Sequence, residues 1–263
     1  MIIRKTPDQI EKIARAGDIV AGCLEMMKEM CRPGVTTAGL DEAAEKYIRD
    51  AGGIPTFKGY RGFPASICSS PNSMVVHGIP GDYQLAEGDI ISLDVGVTLR
   101  GWVADAAITV PVGVVDKLKL RLLEVTAESL MRGIARFREG NHLGDISSAI
   151  QQHVEENGFS VVRTLVGHGI GKAMHEEPQI PNYGTAGQGP ELKAGMVFAI
   201  EPMVNAGGHR VVVGPDRWVI STADLSMSAH FEHTVALTDK GPRILTAGTR
   251  TDGEKLEFAS MLW

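Results

Sequence analysis

Hydrophobic positions near the start of the chain repeat with the period of an α-helix. Apolar or small residues recur at alternating spacings of three and four between Ile10 and Cys31. Thr6 and Gln9 have the spacing of a capping box, and Pro7 stands at the first helical position between them. The pattern therefore predicts one long amphipathic helix that begins at Pro7.

The helical period returns three more times further along the chain. A second, shorter helix is predicted within residues 36–53, directly after an Arg-Pro-Gly turn signal. About 106 residues later, a long helix over residues 117–137 is followed by a shorter one over 143–157. The same order of elements, long helix and then short helix, is thus predicted twice.

The spacing of glycines suggests that the two stretches are repeats of one unit. Gly34 and Gly52 are 18 residues apart around the second helix, and Gly140 and Gly158 are 18 residues apart around the fourth. We expect a single domain built from two related halves. The predicted bounds are 1–263 for the domain, 1–112 and 113–248 for its halves, and 249–263 for a C-terminal tail.

A run of β-branched residues between the two helix pairs predicts a β-hairpin. The run extends from Ile91 to Val110 and is interrupted at residues 98–101 by a tight turn. Folding the run about this turn places Asp94 opposite Asp105, about 4.5–5.5 Å away on the same face. Two carboxylates so close on an apolar sheet repel each other and are costly to desolvate, so a cation between them is expected.

A second pair of acidic residues occurs in a similar setting downstream. Glu201 and Glu232 flank a segment whose midpoint falls near the turn signal at residues 214–216, so the two residues are expected nearly level. A bulge would shift this register by one residue and turn one side chain to the other face. Single acidic residues near strand ends are usually solvated, but Glu201 follows Val197, Phe198 and Ile200, and this context predicts burial.

A glycine-rich segment contributes a candidate nitrogen ligand. His168 lies between Gly167 and Gly169, and His175 follows seven residues later. The glycines do not have the spacing of a dinucleotide or phosphate loop. Four carboxylates and one imidazole are a donor set that can hold two divalent cations; the candidate ligands are Asp94, Asp105, His168, Glu201 and Glu232.

Composition narrows the class of protein without identifying it. The net charge is -6 over 263 residues, and no run of five or more basic residues occurs, so sequence-specific nucleic acid binding is not expected. Three cysteines without a C-x-x-C pair are typical of a reducing compartment. The chain has no apolar leader at its start and no stretch of about 18 apolar residues. We therefore expect a cytoplasmic protein without membrane contact.

Several short motifs together resemble one enzyme family. VVHGIP lies at residues 75–80, and GHGIG at 167–171 is followed by HEEPQIPNYG at 175–184. AIEPM and FEHTV surround Glu201 and Glu232. With the Asp94 and Asp105 hairpin, these motifs identify the chain as similar to the bacterial, type I methionine aminopeptidases, which have the pita-bread fold. The resemblance implies an α+β fold in which two pseudo-twofold related halves of antiparallel sheet are covered by helices.

The resemblance also implies roles for individual residues. It implies that the five candidate ligands hold a dinuclear site with an activated water, in which Asp105 and Glu232 bridge. Glu201 is then expected to shuttle a proton as a catalytic residue, and His77 and His175 to contact the substrate and act in catalysis. The pocket for the first residue maps onto Tyr60, Phe63, Cys68 and Trp218. Phe57 and Met174 depart from the usual family pattern, in which Cys and Phe are frequent, and both bear on pocket breadth.

The function implied is removal of the initiator methionine from nascent proteins with a small second residue. Implied partners are nascent N-termini and, transiently, the ribosome, and members of the family are usually monomers. The ligand set does not distinguish Co, Mn, Fe or Zn. Prolidase and aminopeptidase P share the ligands but are expected to carry a large additional N-terminal domain, and type II enzymes carry an insertion between the last two glutamates. A non-enzymatic binding protein of the same fold is a further alternative, although such proteins typically lose ligands.

Overall fold

The computed structural model describes residues 1–248, so the predicted tail at 249–263 lies outside the described residues. Four α-helices occupy the segments that the hydrophobic pattern predicted. The capping box at the start of the first helix is present: the Thr6 hydroxyl accepts from the Gln9 backbone N–H, and the Gln9 side chain accepts from the Thr6 N–H. The helices are α1 (Pro7–Met30), α2 (Thr37–Asp50), α3 (Lys117–Arg136) and α4 (Leu143–Glu156).

The strands are mostly short, apart from one long hairpin between the helix pairs. A single 3₁₀ turn at Tyr60–Gly62 separates the first two strands. The strands are β1 (Ile54–Pro55), β2 (Cys68–Pro71), β3 (Met74–Val76), β4 (Ile90–Leu99), β5 (Trp102–Pro111), β6 (Ser160–Val161), β7 (Val166–Gly169), β8 (Glu176–Pro181), β9 (Val197–Ile200), β10 (Met203–Asn205), β11 (Val211–Val213), β12 (Ile220–Thr222), β13 (Ser228–His230), β14 (Glu232–Thr238) and β15 (Gly241–Ile244).

One large antiparallel sheet organises the molecule. Seven of its strands follow the order β1-β4-β5-β14-β9-β7-β8, with β2 added on β4 and β15 on β14. Helix α1 packs on β4 and β5, and α3 packs on α4 and on strands β10 and β13. The expected architecture, antiparallel sheet covered by helices, is therefore confirmed. None of the helices within residues 1–248 is long and apolar enough to cross a membrane.

The long hairpin differs from its predicted register by two residues. Leu99 pairs with Trp102, so the loop consists of Arg100 and Gly101, both with positive φ (50° and 78°). Such a two-residue loop matches the twist of the strands it joins. Asp94 consequently lies opposite Ala107 rather than opposite Asp105. Because the shift is an even number of residues, both carboxylates still project from the same face of the sheet.

The second acidic pair lies as predicted. Ile200 pairs with His233 between β9 and β14, and Met203 pairs with His230 between β10 and β13. Both ladders have the same register, in which Glu201 is level with Glu232. The bulged alternative therefore does not occur between these strands.

Candidate metal centre and substrate pocket

The five candidate ligands come from five neighbouring strands of the large sheet. Asp94 is on β4, Asp105 on β5, Glu232 on β14 and His168 on β7, and Glu201 directly follows β9. These strands are consecutive in the order β4-β5-β14-β9-β7. The antiparallel sheet thus gathers residues that are up to 138 positions apart in the sequence.

The pairing places these side chains on one face. Asp94 and Glu232 both lie level with Ala107 of β5, and Asp105 is two residues along from it. On the other side of β14, His168 is level with Ala199, and Glu201 is two residues along from that alanine. Since side chains alternate along a strand, residues two apart share a face. All five predicted ligands therefore project toward one point.

The distances between ligand atoms suit a metal centre. Donor atoms of Asp105, His168 and Glu232 lie within 4.8 Å of one another. His168 Nε2 is 3.6 Å from Glu201 Oε1 and 4.0 Å from Asp105 Oδ2. Asp105, His168 and Glu232 are buried, whereas Asp94 and Glu201 are partly buried. The separations are too long for hydrogen bonds but short enough for the atoms to share a cation.

The pKa values of the acidic side chains reflect this crowding. Burial raises the pKa of Asp94 to about 7. Burial, followed by the negative charges of Glu232 and Asp94, raises the pKa of Asp105 well above its usual range. Burial, together with neighbouring carboxylates, does the same to the pKa of Glu201 and of Glu232. Without a positive charge between them, these groups cannot all ionise together near neutral pH.

The imidazole of His168 is held in the form that binds a metal. Its Nδ1 lies 2.9 Å from the backbone carbonyl of Gly169, which can only accept a hydrogen bond, so Nδ1 carries the proton. The lone pair of Nε2 is then directed toward Glu201 and Asp105. Burial also lowers the pKa of His168, which favours the neutral ring. A backbone carbonyl behind a ligating histidine is a common way to orient such a ligand.

Unpartnered polar atoms provide an independent test of whether these residues fit a cation. Asp94 Oδ1, Asp105 Oδ1 and Glu232 Oε1 are buried and have no hydrogen-bond partner among residues 1–248. A buried charged oxygen without a partner is costly, and cations are the partners that compensate several such oxygens at once. The donor set, oxygen-rich with one nitrogen, fits divalent transition metals.

A pocket of about 180 Å³ opens from the acidic cluster to the surface. All residues predicted for catalysis and substrate binding line it together with the five candidate ligands. Phe63 and Cys68 are buried in its wall, and Trp218 packs edge-on against Phe63 with ring centroids 5.1 Å apart. The other predicted residues in the lining are Tyr60, His77 and His175, and the two departures from the family pattern, Phe57 and Met174, also line it.

His77 and His175 approach the pocket from different segments. His77 has a positive φ of 60°, an uncommon conformation for a residue with a side chain. The next residue, Gly78, lies so close to the Ser69 carbonyl that a Cβ there would be 2.0 Å from the oxygen. The close packing of Gly78 holds the strained backbone that points His77 into the pocket. Burial lowers the pKa of His77.

His175 stands at the solvent-facing mouth of the pocket. Its Nδ1 is 2.8 Å from the Tyr60 hydroxyl, and its ring centroid is 4.3 Å from that of His168. Partial burial of the ring, followed by electrostatic interactions with His168, Arg61 and His77, lowers the pKa of His175 to about 4. The ring is therefore neutral at physiological pH. Tyr60, expected only as a wall of the pocket, also contacts a predicted catalytic group.

Three residues near the site were not predicted from the sequence. His230 is buried, and its Nε2 is 3.9 Å from oxygens of both Glu201 and Glu232. The buried Asn182 side chain donates to the Glu201 carbonyl at 2.9 Å and fixes the backbone there. Arg61 lines the mouth. His230 had a usable signal, because it lies two residues before Glu232 in a segment that the sequence predicts to be extended, where residues two apart share a face. Asn182 and Arg61 had none.

Comparisons with known proteins agree with this geometry. A model of metallopeptidase family M24 matches residues 11–239. The methionine aminopeptidase of Clostridium perfringens (strain 13 / Type A) is 51% identical over 246 residues, which are 94% of this chain and 99% of that protein. The crystal structure of methionine aminopeptidase from Rickettsia prowazekii has a TM-score of 0.92 at 42% identity and covers 94% of this chain and 100% of its own.

A more distant structure is similar in fold alone. Prolidase from Pyrococcus furiosus has a TM-score of 0.74 at 22% identity, and the match covers 94% of this chain but only 66% of the prolidase. Prolidase was one of the alternatives considered from the sequence. The relative from Clostridium perfringens is 51% identical to this chain over 99% of its own length, which favours the methionine aminopeptidases over prolidase.

Proposed function

The chain belongs to metallopeptidase family M24 and removes N-terminal methionine like its methionine aminopeptidase relatives, and from this premise we propose how its residues divide the work. Asp94, Asp105, His168, Glu201 and Glu232 would hold two divalent cations. The observation that supports this assignment is the convergence of five adjacent strands on one cluster of unpartnered donor atoms. Bound cations lower the pKa of a water molecule toward neutrality and polarise the scissile carbonyl group.

The order of the strands supports a division of roles among the carboxylates. Asp105 and Glu232 lie between Asp94 on one side and Glu201 with His168 on the other. From this position Asp105 and Glu232 would be able to reach both cations, and we assign them as the bridging ligands. Glu201 lies beside His230 and is partly open to the pocket, which suits a carboxylate that carries a proton from water to the leaving amine.

The two histidines at the pocket contact the substrate. His175 is neutral because its pKa is about 4, so one ring nitrogen carries a proton. His175 Nδ1 is 2.8 Å from the Tyr60 hydroxyl. In the tautomer that accepts the Tyr60 O–H at Nδ1, the proton is on Nε2, where it is available to the substrate carbonyl oxygen, and we assign that tautomer to the active enzyme. His77, held by the packing of Gly78, contacts the substrate from the other segment.

The pocket accepts a methionine side chain. Phe63, Cys68 and Trp218, with Tyr60 at the edge, provide an apolar and polarizable lining of the kind that binds a thioether. Phe57 and Met174 complete the apolar wall where the family often has Cys and Phe. Crowding around the acidic cluster would favour a small second residue, so we expect Met-Gly sequences to be cleaved in preference to Met-Leu sequences.

The biological setting follows from this substrate. Initiator methionine is present on nascent chains, so we place the activity in the cytoplasm, where proteins are synthesised, with transient docking at the ribosome. The five-ligand set accepts Co, Mn, Fe or Zn, and metal availability decides among them. We propose a monomeric enzyme, since the protein completes its pocket from one chain.

The experiment that tests the proposal is metal reconstitution. Metal-stripped protein, supplied separately with Mn, Co, Fe and Zn, is assayed for methionine release from Met-Gly-Met-Met and from Met-Leu-Met-Met. We expect metal-dependent release that is faster from the first peptide than from the second, and its loss in Asp94→Asn. Asp82→Asn, which changes an exposed aspartate outside the pocket, is the matched control.

Two results would contradict the proposal. Folded protein that releases no methionine with any of the four metals would favour a binding protein of the same fold. Equal cleavage of the two peptides would show that the enzyme does not prefer a small second residue.

A further inference from the structure

A tight loop at the mouth of the pocket presents an arginine in an uncommon backbone conformation. Gly59, Arg61 and Gly62 have φ values of 87°, 51° and 89°. Backbone hydrogen bonds close the loop: the Tyr60 N–H donates to Phe57, the Gly62 N–H to Gly59 and the Phe63 N–H to Tyr60. A positive φ at a residue with a long side chain costs energy that glycine would avoid. The loop therefore has an arginine at a position where the backbone conformation favours glycine.

The guanidinium of Arg61 carries the only permanent positive charge in the lining of the pocket, within the part of the chain that the structure describes. Its Cζ is 5.4 Å from the centroid of the Tyr60 ring, within the range of a cation–π contact. Tyr60 in turn contacts His175 at 2.8 Å. The stacked guanidinium is thus held beside a predicted catalytic histidine, at the solvent-facing end of the pocket.

The charge of Arg61 is not neutralised by the protein. Among residues 1–248, no carboxylate lies within 4.0 Å of its guanidinium, whereas Arg49 pairs with Glu45 and Arg243 pairs with Glu11. Its neighbour Lys58 is also paired with Glu45, at 2.6 Å. Arg61 is exposed. A planar, exposed and unpaired guanidinium is well suited to bind a carboxylate from another molecule.

The direction of the substrate determines which carboxylate meets it. Of the residues that line the pocket, Arg61 and His175 are the exposed ones, so they mark its mouth. With the first residue in the apolar wall near Cys68 and the scissile bond at the acidic cluster, we expect the rest of the peptide to leave past these two residues. An extended chain advances about 3.4 Å per residue, so the third and fourth residues lie roughly 7–10 Å beyond the first. These residues pass the exposed side of the loop.

We propose that Arg61 is a specificity-determining residue that selects substrates with an acidic side chain at the third or fourth position. The proposal rests on the proposed aminopeptidase function and extends it to residues beyond the small second one. Arg61 binds the carboxylate, and the stacking on Tyr60 together with the closed loop restricts the movement of the guanidinium before the substrate arrives.

The test uses C-terminally amidated peptides, so that the side chain under study is their only carboxylate. Met-Ala-Asp-Ala-Ala and Met-Ala-Ala-Asp-Ala amides are compared with matched peptides that carry Asn or Lys in place of Asp. For each metal-loaded enzyme, the ratio of kcat/KM for the Asp and Asn peptides is measured, which cancels general changes in activity. We expect a ratio of about five for at least one position at low ionic strength, with Lys below Asn.

Variants at two positions assign the preference to Arg61. Arg61→Asn, whose side chain tolerates positive φ, is expected to bring the ratio to about one, and Arg61→Lys to retain part of it. Lys58→Gln removes a paired charge from the same loop and is expected to keep the ratio of the unmodified protein. Salt at about 0.5 M is expected to reduce the ratio, because exposed charges are screened.

Each outcome bears on the proposal. A ratio near one at both positions in the unmodified enzyme would overturn it, and so would a preference that persists in Arg61→Asn or is lost equally in Lys58→Gln. Failure of the underlying function has a different signature, namely no methionine release from the Asn peptides by the unmodified, metal-loaded protein.

Discussion

At the residue scale, the acidic side chains of the pocket are crowded and buried, so their ionised forms are unfavourable unless a cation binds beside them. Asp94, Asp105, Glu201 and Glu232 come close together on one face of the sheet, and burial raises the pKa of each. In the absence of a cation, protons reduce the repulsion among the carboxylates. A divalent cation must displace these protons before the carboxylates can bind it.

We therefore predict that metal binding releases protons and that the release falls as the pH rises. Below pH 7 the metal-free protein keeps a proton on Asp94, whose pKa is about 7, and binding displaces it. Above pH 7 that proton has already been lost, so fewer protons are released. Calorimetric titration with a divalent cation in buffers of different ionisation enthalpy measures the number at pH 6 and at pH 8. Equal release at both values, or none at pH 6, would contradict the prediction.

At the element scale, an N-terminal segment fastens the loop that carries His175. Lys5 and Glu176 form a buried ion pair at 2.6 Å, with side chains only 3% and 8% exposed. The other Glu176 oxygen accepts backbone N–H groups of Lys172 and Ala173. Gly171 makes this possible, since a Cβ there would lie 2.5 Å from the Lys5 side chain. The segment before α1 thus holds a loop at the pocket, although the two partners are 171 positions apart in the sequence.

We predict that Lys5→Met lowers the free energy of unfolding by about 3–5 kcal/mol, because it leaves the buried Glu176 carboxylate without its charged partner. Lys12→Met is the matched control: Lys12 pairs with Asp8 on the exposed side of α1, where a pair contributes at most about 1 kcal/mol. Urea unfolding of both variants, followed by circular dichroism, measures the difference. A loss in Lys5→Met no larger than that in Lys12→Met would mean that the buried pair does not stabilise the fold.

At the scale of the whole molecule, the candidate metal centre connects distant parts of the chain. Asp94 and Asp105 come from the β4–β5 hairpin, whereas His168, Glu201 and Glu232 follow the second helix pair. A ligand that binds only the native state stabilises it by an amount that grows with its concentration, about 4 kcal/mol at a thousandfold excess over Kd. A divalent metal bound at this centre would therefore stabilise the whole sheet.

We predict that chelation of the metal lowers the Tm by roughly 10 °C and that an added divalent cation restores it. Asp94→Asn is expected to reduce this shift and Asp82→Asn to leave it unchanged. Differential scanning calorimetry of the chelated and reconstituted proteins provides the comparison. The same Tm with and without metal would show that the five side chains do not form a metal centre in the native protein.

The amino-acid sequence alone determined the helices and indicated which residues are candidate metal ligands. The helical period and the Thr6 capping box are local signals, and all four helices occur where they were predicted. The two-residue period of a strand kept Asp94 and Asp105 on one face even though the predicted register was shifted by two. The residue types needed for a divalent metal site were likewise visible from motifs around each ligand.

Only the tertiary structure decided how these parts meet. The hairpin register depended on positive φ at both Arg100 and Gly101. The pairing of the two strands and the conformation of their turn are determined together, so the turn residues could not be identified from the sequence pattern alone. Tyr60 and His175 are 115 positions apart, and the approach of His230 to Glu201 was likewise not predicted. A periodic pattern gives the direction of a side chain relative to its own helix or strand, whereas the distance between two segments depends on how the whole sheet curls and packs.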